Sequence, residues 1–270
     1  MTTQYEKAQA MQALVGAPGA FVIPNPWDIG SARMFEGLGF KALATTSSGF
    51  AYTLGRNDGQ VTLEEKLAHC RLLVAATSVP ISADLENLYA HDPEEAAKTI
   101  PLAAETGLVG GSIEDYNNEG GIYDFNLAVE RVQAAVEAAN ALDFPFALTA
   151  RAENLIRGVP DLDDTIKRLQ AFEAVGAEML YAPGLKTLEE VKLVAESVGK
   201  PINVLVRSIV DKNVTLDELA AAGAKRISIG GSMAKVAYGN LLEGGREMLA
   251  GNFTWLTKTK MGNGLEQYLG

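Results

Sequence analysis

Pro80-Ile81-Ser82-Ala83-Asp84-Leu85-Glu86-Asn87 opens on apolar residues and closes on two carboxylates. It reads as a buried strand with an acidic, accessible end. Gly111-Ser112-Ile113-Glu114-Asp115 repeats the plan, and Ala147-Leu148-Thr149-Ala150-Arg151 ends on a cation instead. If these three are neighbouring strands, Asp84, Glu86, Glu114 and Arg151 meet at one place. Gathered carboxylates repel one another, so a cation must hold them, and their oxygen donors suit a hard divalent ion such as Mg2+, with Mn2+ as an alternative.

The same alternation of strand and helix extends in both directions. Strands are expected at Ala20–Pro24, Lys41–Thr46, the opening stretch, Val109–Ile113, Phe146–Ala150, Glu178–Tyr181, Ile202–Val206 and Arg226–Ile229. Helices fall between them, with start signals at Asp28 or Ser31, at Thr62 with Glu65, at Asp92-Pro93 and at Thr215. Eight such units predict a closed (β/α)8 TIM barrel, an α/β fold with a parallel sheet. Residues 1–270 then form a single domain, with a leading helix over Thr3–Val15 and a C-terminal extension from about residue 251. The connection Phe50–Val61 contains Gly55-Arg56-Asn57-Asp58-Gly59 and is expected to be irregular. In the extension, Phe253, Trp255, Leu256 and Leu265 are candidates to pack on another subunit.

Apolar residues make up 47% of the 270, enough for one large core, and the net charge of −11 with no basic patch argues against nucleic acid as a partner. The single cysteine, Cys70, cannot form an internal disulfide, which predicts a cytoplasmic chain with a buried thiol. No signal peptide and no membrane-spanning run is expected. His69 and His91 fall in or beside helices and are read as surface or capping residues, which removes histidine-ligated zinc or iron. No lysine ends a strand, which argues against Schiff-base chemistry.

In this barrel class, sites form at the C-terminal strand ends. The polar residues there are Asn25 and Asp28, Ser47 and Ser48, Asp84 and Glu86, Glu114 and Asp115, Arg151 and Glu153, and Arg207. Arg151 offers a planar fork of donors to a substrate carboxylate or oxyanion. Gly230-Gly231-Ser232, ahead of a helix, reads either as an anion cradle or simply as a turn. Carboxylates, a metal and an arginine together suit stabilisation of an enolate as a bond to the neighbouring carbon breaks.

These residues resemble the isocitrate lyase/phosphoenolpyruvate mutase superfamily over roughly residues 19 to 240. The matching pieces are Ser48-Gly49, Asp58, Asp84-Leu85-Glu86, Ile113-Glu114-Asp115 and Ala150-Arg151. The resemblance implies a barrel whose last helix is exchanged between subunits, in dimers that pair into tetramers. It implies Mg2+ on Asp84, with Glu86 and Glu114 reaching it partly through water. Ser48 and Gly49 would offer backbone donors to a substrate carboxylate, Arg151 would hold the oxyanion, and Asp58 would lie on a mobile side of the site. Substrates would be small 2-oxo acids, their adducts or phosphonates, split or rearranged at a C–C or P–C bond.

Two departures bear on the reaction. The loop Tyr116–Gly121 carries no cysteine, lysine or histidine, unlike the Lys-x-Cys-Gly-His loop of isocitrate-type lyases. It has Asn117 and Asn118 but lacks the basic residue of the phosphonate mutases. Glu86 stands where an aspartate is more usual, followed by Asn87-Leu88-Tyr89-Ala90 in place of Thr-Gly-Tyr-Gly. Tyr116, Tyr89 and Tyr52 are then the candidate proton donors. The leading expectation is a Mg2+-dependent lyase. Alternatives are a phosphonomutase or phosphonopyruvate hydrolase type of activity, a barrel that binds a 2-oxo acid without turning it over, and a sugar-phosphate site at Gly230-Gly231-Ser232.

Overall fold

A computed structural model describes residues 2–258 and 264–269. Eight parallel strands form the sheet: β1 Phe21–Ile23, β2 Leu43–Ala44, β3 Ile81–Asp84, β4 Gly110–Glu114, β5 Ala147–Arg151, β6 Met179–Tyr181, β7 Ile202–Leu205 and β8 Ala224–Ser228. Their order runs β1-β8-β7-β6-β5-β4-β3-β2. Helices separate them in sequence and surround them in space, as the alternation predicts for a (β/α)8 barrel. The capping signals hold: Thr62 with Glu65 and Thr215 with Glu218 form capping boxes, and Asp92 caps a helix that has Pro93 in its first turn. Leading helix Gln4–Gly16 places Ala8 and Met11 against Ile23, Ala42 and Val109 and closes the N-terminal end of the barrel.

No ladder joins β1 to β2, so the barrel needs another device at that seam. The Ala44 N–H donates to Pro24 O at 3.0 Å. Asn25 does the rest. Its Nδ2 donates to Ala44 O (3.0 Å) and Thr45 O (3.3 Å), while its Oδ1 accepts from the N–H groups of Ile229 (2.9 Å) and Gly230 (2.8 Å). One buried amide therefore ties β2 to the end of β8 across β1. Elsewhere the strands approach closely; a Cβ on Gly110 would lie 2.7 Å from Ala147 O on the neighbouring strand.

Two expectations need correction. Ser47–Thr53 is a helix, so the connection after β2 is irregular only from Leu54 onward; the Thr46 hydroxyl accepting from Gly49 N–H caps it despite the turn-rich sequence beyond. His69 is buried, not on the surface: its ring stacks on Phe50 at 3.8 Å and its Nε2 lies 2.9 Å from Trp27 O. Burial, with Lys66 nearby, pushes its pKa down to about 3. Trp255 lies against Gly244 of its own chain. Tyr268 packs on Gly37. Phe253, Leu256 and Leu265 remain exposed, as do Val236, Leu241, Leu242 and Leu249 around helix Ser232–Leu249.

Asn25→Ala strands the N–H groups of Ile229 and Gly230 at the seam, and leaving buried donors unpaired costs about 1–3 kcal/mol. A lowered thermal midpoint with no change of fold by circular dichroism is expected. His69 titrates below its ordinary value, so stability carried by its neutral ring is present above about pH 6.5 and is lost as pH falls towards about 3. Denaturant unfolding between pH 7 and pH 4 should show that loss, and a flatter profile in His69→Gln.

Candidate active site at the C-terminal mouth

The mouth of the barrel holds a cavity of about 310 Å³, lined by residues from every strand end. Arg151, at the end of β5, stands 11% exposed in the middle of it. Its Nη1 lies 2.9 Å from Glu114 Oε1 (β4) and 3.2 Å from Asp84 Oδ1 (β3), and its Nη2 lies 2.8 Å from Glu153 Oε1. The sequence expectation that strands three, four and five converge is therefore met in one ion network. Register explains it: Asp84 pairs with Ser112, and Glu114 with Arg151, so the three side chains rise from adjacent strand ends on the inner face.

The two carboxylates differ in proton affinity. Burial alone would raise Asp84, but Arg151, Lys66 and bonds from the Ser47 and Glu86 N–H groups together hold it below the usual range. Burial raises Glu114 well above that range against the pull of Arg151, and the negative charges of Glu153 and Asp84 add to the rise. Two neighbouring acids driven apart in this way can divide proton acceptance and donation between them.

Glu86 sits in a tight loop with φ +51°, and Leu88 and Tyr89 follow at +59° and +60°. Consecutive non-glycine residues in the left-handed region are strained and persist only where the surroundings hold them. Arg131 does so: buried, it donates to the carbonyls of Asn87, Ala90 (2.6 Å) and His91 (2.5 Å), and its guanidinium covers the Tyr123 ring at 4.3 Å. The loop turns Glu86 into a second cavity beside the first, where Tyr89 Oη donates to it at 3.4 Å. Burial and the Asp84 charge push its pKa up to about 7.

The predicted site residues therefore separate. Ser48, Asp58, Asp84, Glu114, Arg151 and Arg207 line the main cavity, and Asp58 and Glu114 also border the second, with Glu86 and Tyr116. Asn25 touches the main cavity, but its amide is committed to the barrel seam. Asp28 caps helix Ile29–Gly37 through Ser31 N–H at 2.7 Å and does not line either cavity. Gly49 lies beneath the surface with its N–H given to Thr46; a Cβ there would meet Thr46 and Trp27 inside 3.0 Å, so packing explains the glycine. Gly230 and Gly231 line the main cavity.

Among the described residues, no group of three His, Cys, Asp or Glu forms a ready metal cage. Asp84 and Glu114 lean on Arg151, and Glu86 faces away. The donor chemistry nonetheless fits a hard divalent ion: Asp84 and Glu114 present adjacent carboxylate oxygens, with Glu86 one loop removed.

Sequence reasoning missed Arg157 and Tyr181. Arg157 comes from the loop after β5, pairs with Glu114 (3.1 Å) and Glu153 (3.1 Å), and stacks 3.7 Å over the Tyr116 ring. It supplies by tertiary contact the positive charge that the Tyr116–Gly121 loop lacks in sequence. Tyr181, at the end of β6, lies under Arg151 at 4.9 Å; burial pushes its hydroxyl up to about 12. Only its place at a strand end could have pointed to it.

A barrel with buried acids and an arginine at its C-terminal mouth carries its charged groups where enzymes of this fold place their active sites. A family model described as phosphoenolpyruvate phosphomutase matches residues 11–249. The chain belongs to that family, within the isocitrate lyase/phosphoenolpyruvate mutase superfamily. A crystal structure from Burkholderia cenocepacia J2315, provisionally described as a lyase/mutase, is 47% identical with a TM-score of 0.93, covering 99% of this chain and 96% of its own. A second from the same organism, provisionally described as a phosphonomutase, is 30% identical with a TM-score of 0.82, covering 90% and 99%. The curated 2-methylisocitrate lyase of Escherichia coli K12 is 26% identical over 208 residues, 73% of this chain and 69% of that one.

Arg151→Met leaves Asp84, Glu114 and Glu153 facing one another, and breaking a buried pair costs about 3–5 kcal/mol. Differential scanning fluorimetry should show a large fall in melting temperature. Added MgCl2 should restore part of it in the variant, because a dication at Asp84 and Glu114 replaces the lost charge.

Proposed function

We propose that this protein is a Mg2+-dependent lyase that breaks a C–C or P–C bond next to the carbonyl of a small 2-oxo acid, through an enolate. The observation that carries this reading is Arg151, fixed by acids from three directions and lining the cavity. A guanidinium held this rigidly meets developing oxyanion charge without reorganising. A divalent ion on Asp84 and Glu114, with Glu86 reaching it through water, would withdraw electrons from the 2-oxo carbonyl.

The chain's own groups position the rest. Ser48 offers its hydroxyl and the adjoining backbone to the substrate carboxylate from the helix after β2. Arg207 reaches in from the β7 end. Tyr116 and Asp58 border the neighbouring cavity and are the proton-carrying candidates where the leaving fragment departs. Arg157 stacks over the Tyr116 ring and fixes it at the edge of that cavity. A phosphonomutase reading is weaker, because Asn117 is spent on its own hairpin: its Oδ1 accepts from Glu119 and Gly120 N–H. Phosphonopyruvate hydrolysis keeps the same site and differs only in the bond broken.

The exposed apolar residues of helix Ser232–Leu249 support exchange of that helix in a dimer, with dimers pairing into a tetramer. A cytoplasmic location agrees with the lone, buried Cys70.

Turnover of oxaloacetate, phosphonopyruvate, 2-methylisocitrate and related 2-hydroxy acids, with and without EDTA, tests the reading. At least one should give an EDTA-sensitive product, and Arg151→Lys should lower kcat/KM for it by about 10²–10³-fold. No metal-dependent product from the panel would contradict it.

A further inference from the structure

Behind the acid side of the mouth lies a buried ammonium. Lys66, on helix Leu63–Ala76, is 1% exposed and lines neither cavity. Its Nζ donates to Thr45 Oγ1 at 3.1 Å, its one hydrogen bond among the described residues. Thr45, just after β2, is itself buried and lines the main cavity. The same hydroxyl oxygen accepts from the Asp84 N–H at 3.0 Å. One threonine therefore joins Lys66 to the backbone of Asp84, the first of the candidate metal ligands.

An ammonium taken out of water is costly, and a neutral hydroxyl does not neutralise it. Among the described residues, no carboxylate lies within ion-pair distance of Lys66. Its neighbours on the helix offer no counter-charge: His69 is held neutral by burial first and by Lys66 next, and Cys70 is a buried thiol. The negative charges that Lys66 reaches lie beyond Thr45. Burial would raise Asp84, but Arg151 and then Lys66 pull it down; burial and Asp84 raise Glu86, and Lys66 opposes them. Asp84, Glu86, Glu114 and Glu153 thus face Arg151, Arg157 and Lys66, one negative charge in excess when all are ionised. A dication reverses that excess, and the site then calls for an anion. Without Lys66 the excess is two negative charges, and a dication alone would balance it.

We infer that Lys66 is a positioning residue for the metal: its fixed charge, acting behind Asp84, loosens the acids' grip on a bare dication and strengthens the hold of the loaded site on an anionic ligand. Metal and 2-oxo acid are then retained as a pair. The inference rests on the reading of Asp84 and Glu114 as metal ligands given above. Lys66 touches neither metal nor substrate. Its effect crosses the buried wall of the cavity, where a unit charge is poorly screened.

Lys66→Met keeps the length of the side chain and removes the charge. Titration calorimetry at one fixed alkaline pH should show Mg2+ alone binding the variant about tenfold tighter than wild type, and oxalate binding the Mg2+-saturated variant about tenfold more weakly. The opposed signs separate charge from structure, because a residue that merely braced Thr45 and Asp84 would weaken both on removal. Lys66→Gln, which keeps a donor for Thr45, should shift both affinities in the same directions, and it decides if Lys66→Met fails to fold. Mg2+ affinity unchanged or weaker in the variant overturns the inference, as does oxalate affinity unchanged or stronger; either result leaves the lyase reading intact. Failure of both variants to fold makes Lys66 structural and overturns the inference too. Both shifts without turnover of any acid leave it standing while the lyase reading falls. No Mg2+ binding by wild type overturns the two together.

Discussion

Arg151 holds the mouth of the barrel together. Asp84, Glu114 and Glu153 converge on one spot that burial keeps away from water, and their mutual repulsion at such range is severe unless a positive charge stands between them. The guanidinium provides that charge and takes its geometry from three adjacent strand-end segments. The same residue thereby fixes the acids that would hold a dication and lines the cavity beside them. The electrostatic cost of gathering these acids is thus met within the fold.

Around this network the chain places devices that keep irregular backbone in position. Arg131 collects three carbonyls of the loop after β3 and makes the left-handed backbone of Glu86, Leu88 and Tyr89 tolerable without the glycines that would relieve it. Glu86 owes its direction to that loop. Asn25 closes the barrel where the ladder between β1 and β2 is missing. Arg157 and Tyr116 join the loops after β5 and β4 by stacking. Each is a polar side chain serving backbone or another loop.

These devices mark the boundary of what the sequence discloses. Strand and helix periodicity, capping residues and the Asp92-Pro93 start survive into the structure because they act between neighbours in the chain. The convergence of Asp84, Glu114 and Arg151 was legible for a related reason: parallel strands of similar length bring their last residues level. Asn25 and Asp28 both stand as polar residues after β1; the start signal at Asp28 is met by its helix cap, whereas nothing local shows that Asn25 closes the seam. His69 was hidden because its helix turns that face inward onto Phe50. Arg226 sits in the middle of β8, where a charged residue gives no local sign of facing a cavity, and Arg157 reaches Glu114 from 43 positions away in the chain.

The central claim is that Asp84, Glu114 and Arg151 act on one ligand with one cation. A crystal of the protein grown with Mg2+ and soaked with oxalate tests this most directly. The account predicts the cation against Asp84, within reach of Glu114, and oxalate lying between it and the Arg151 guanidinium. Oxalate seated elsewhere, or a cation that binds away from both acids, would contradict it.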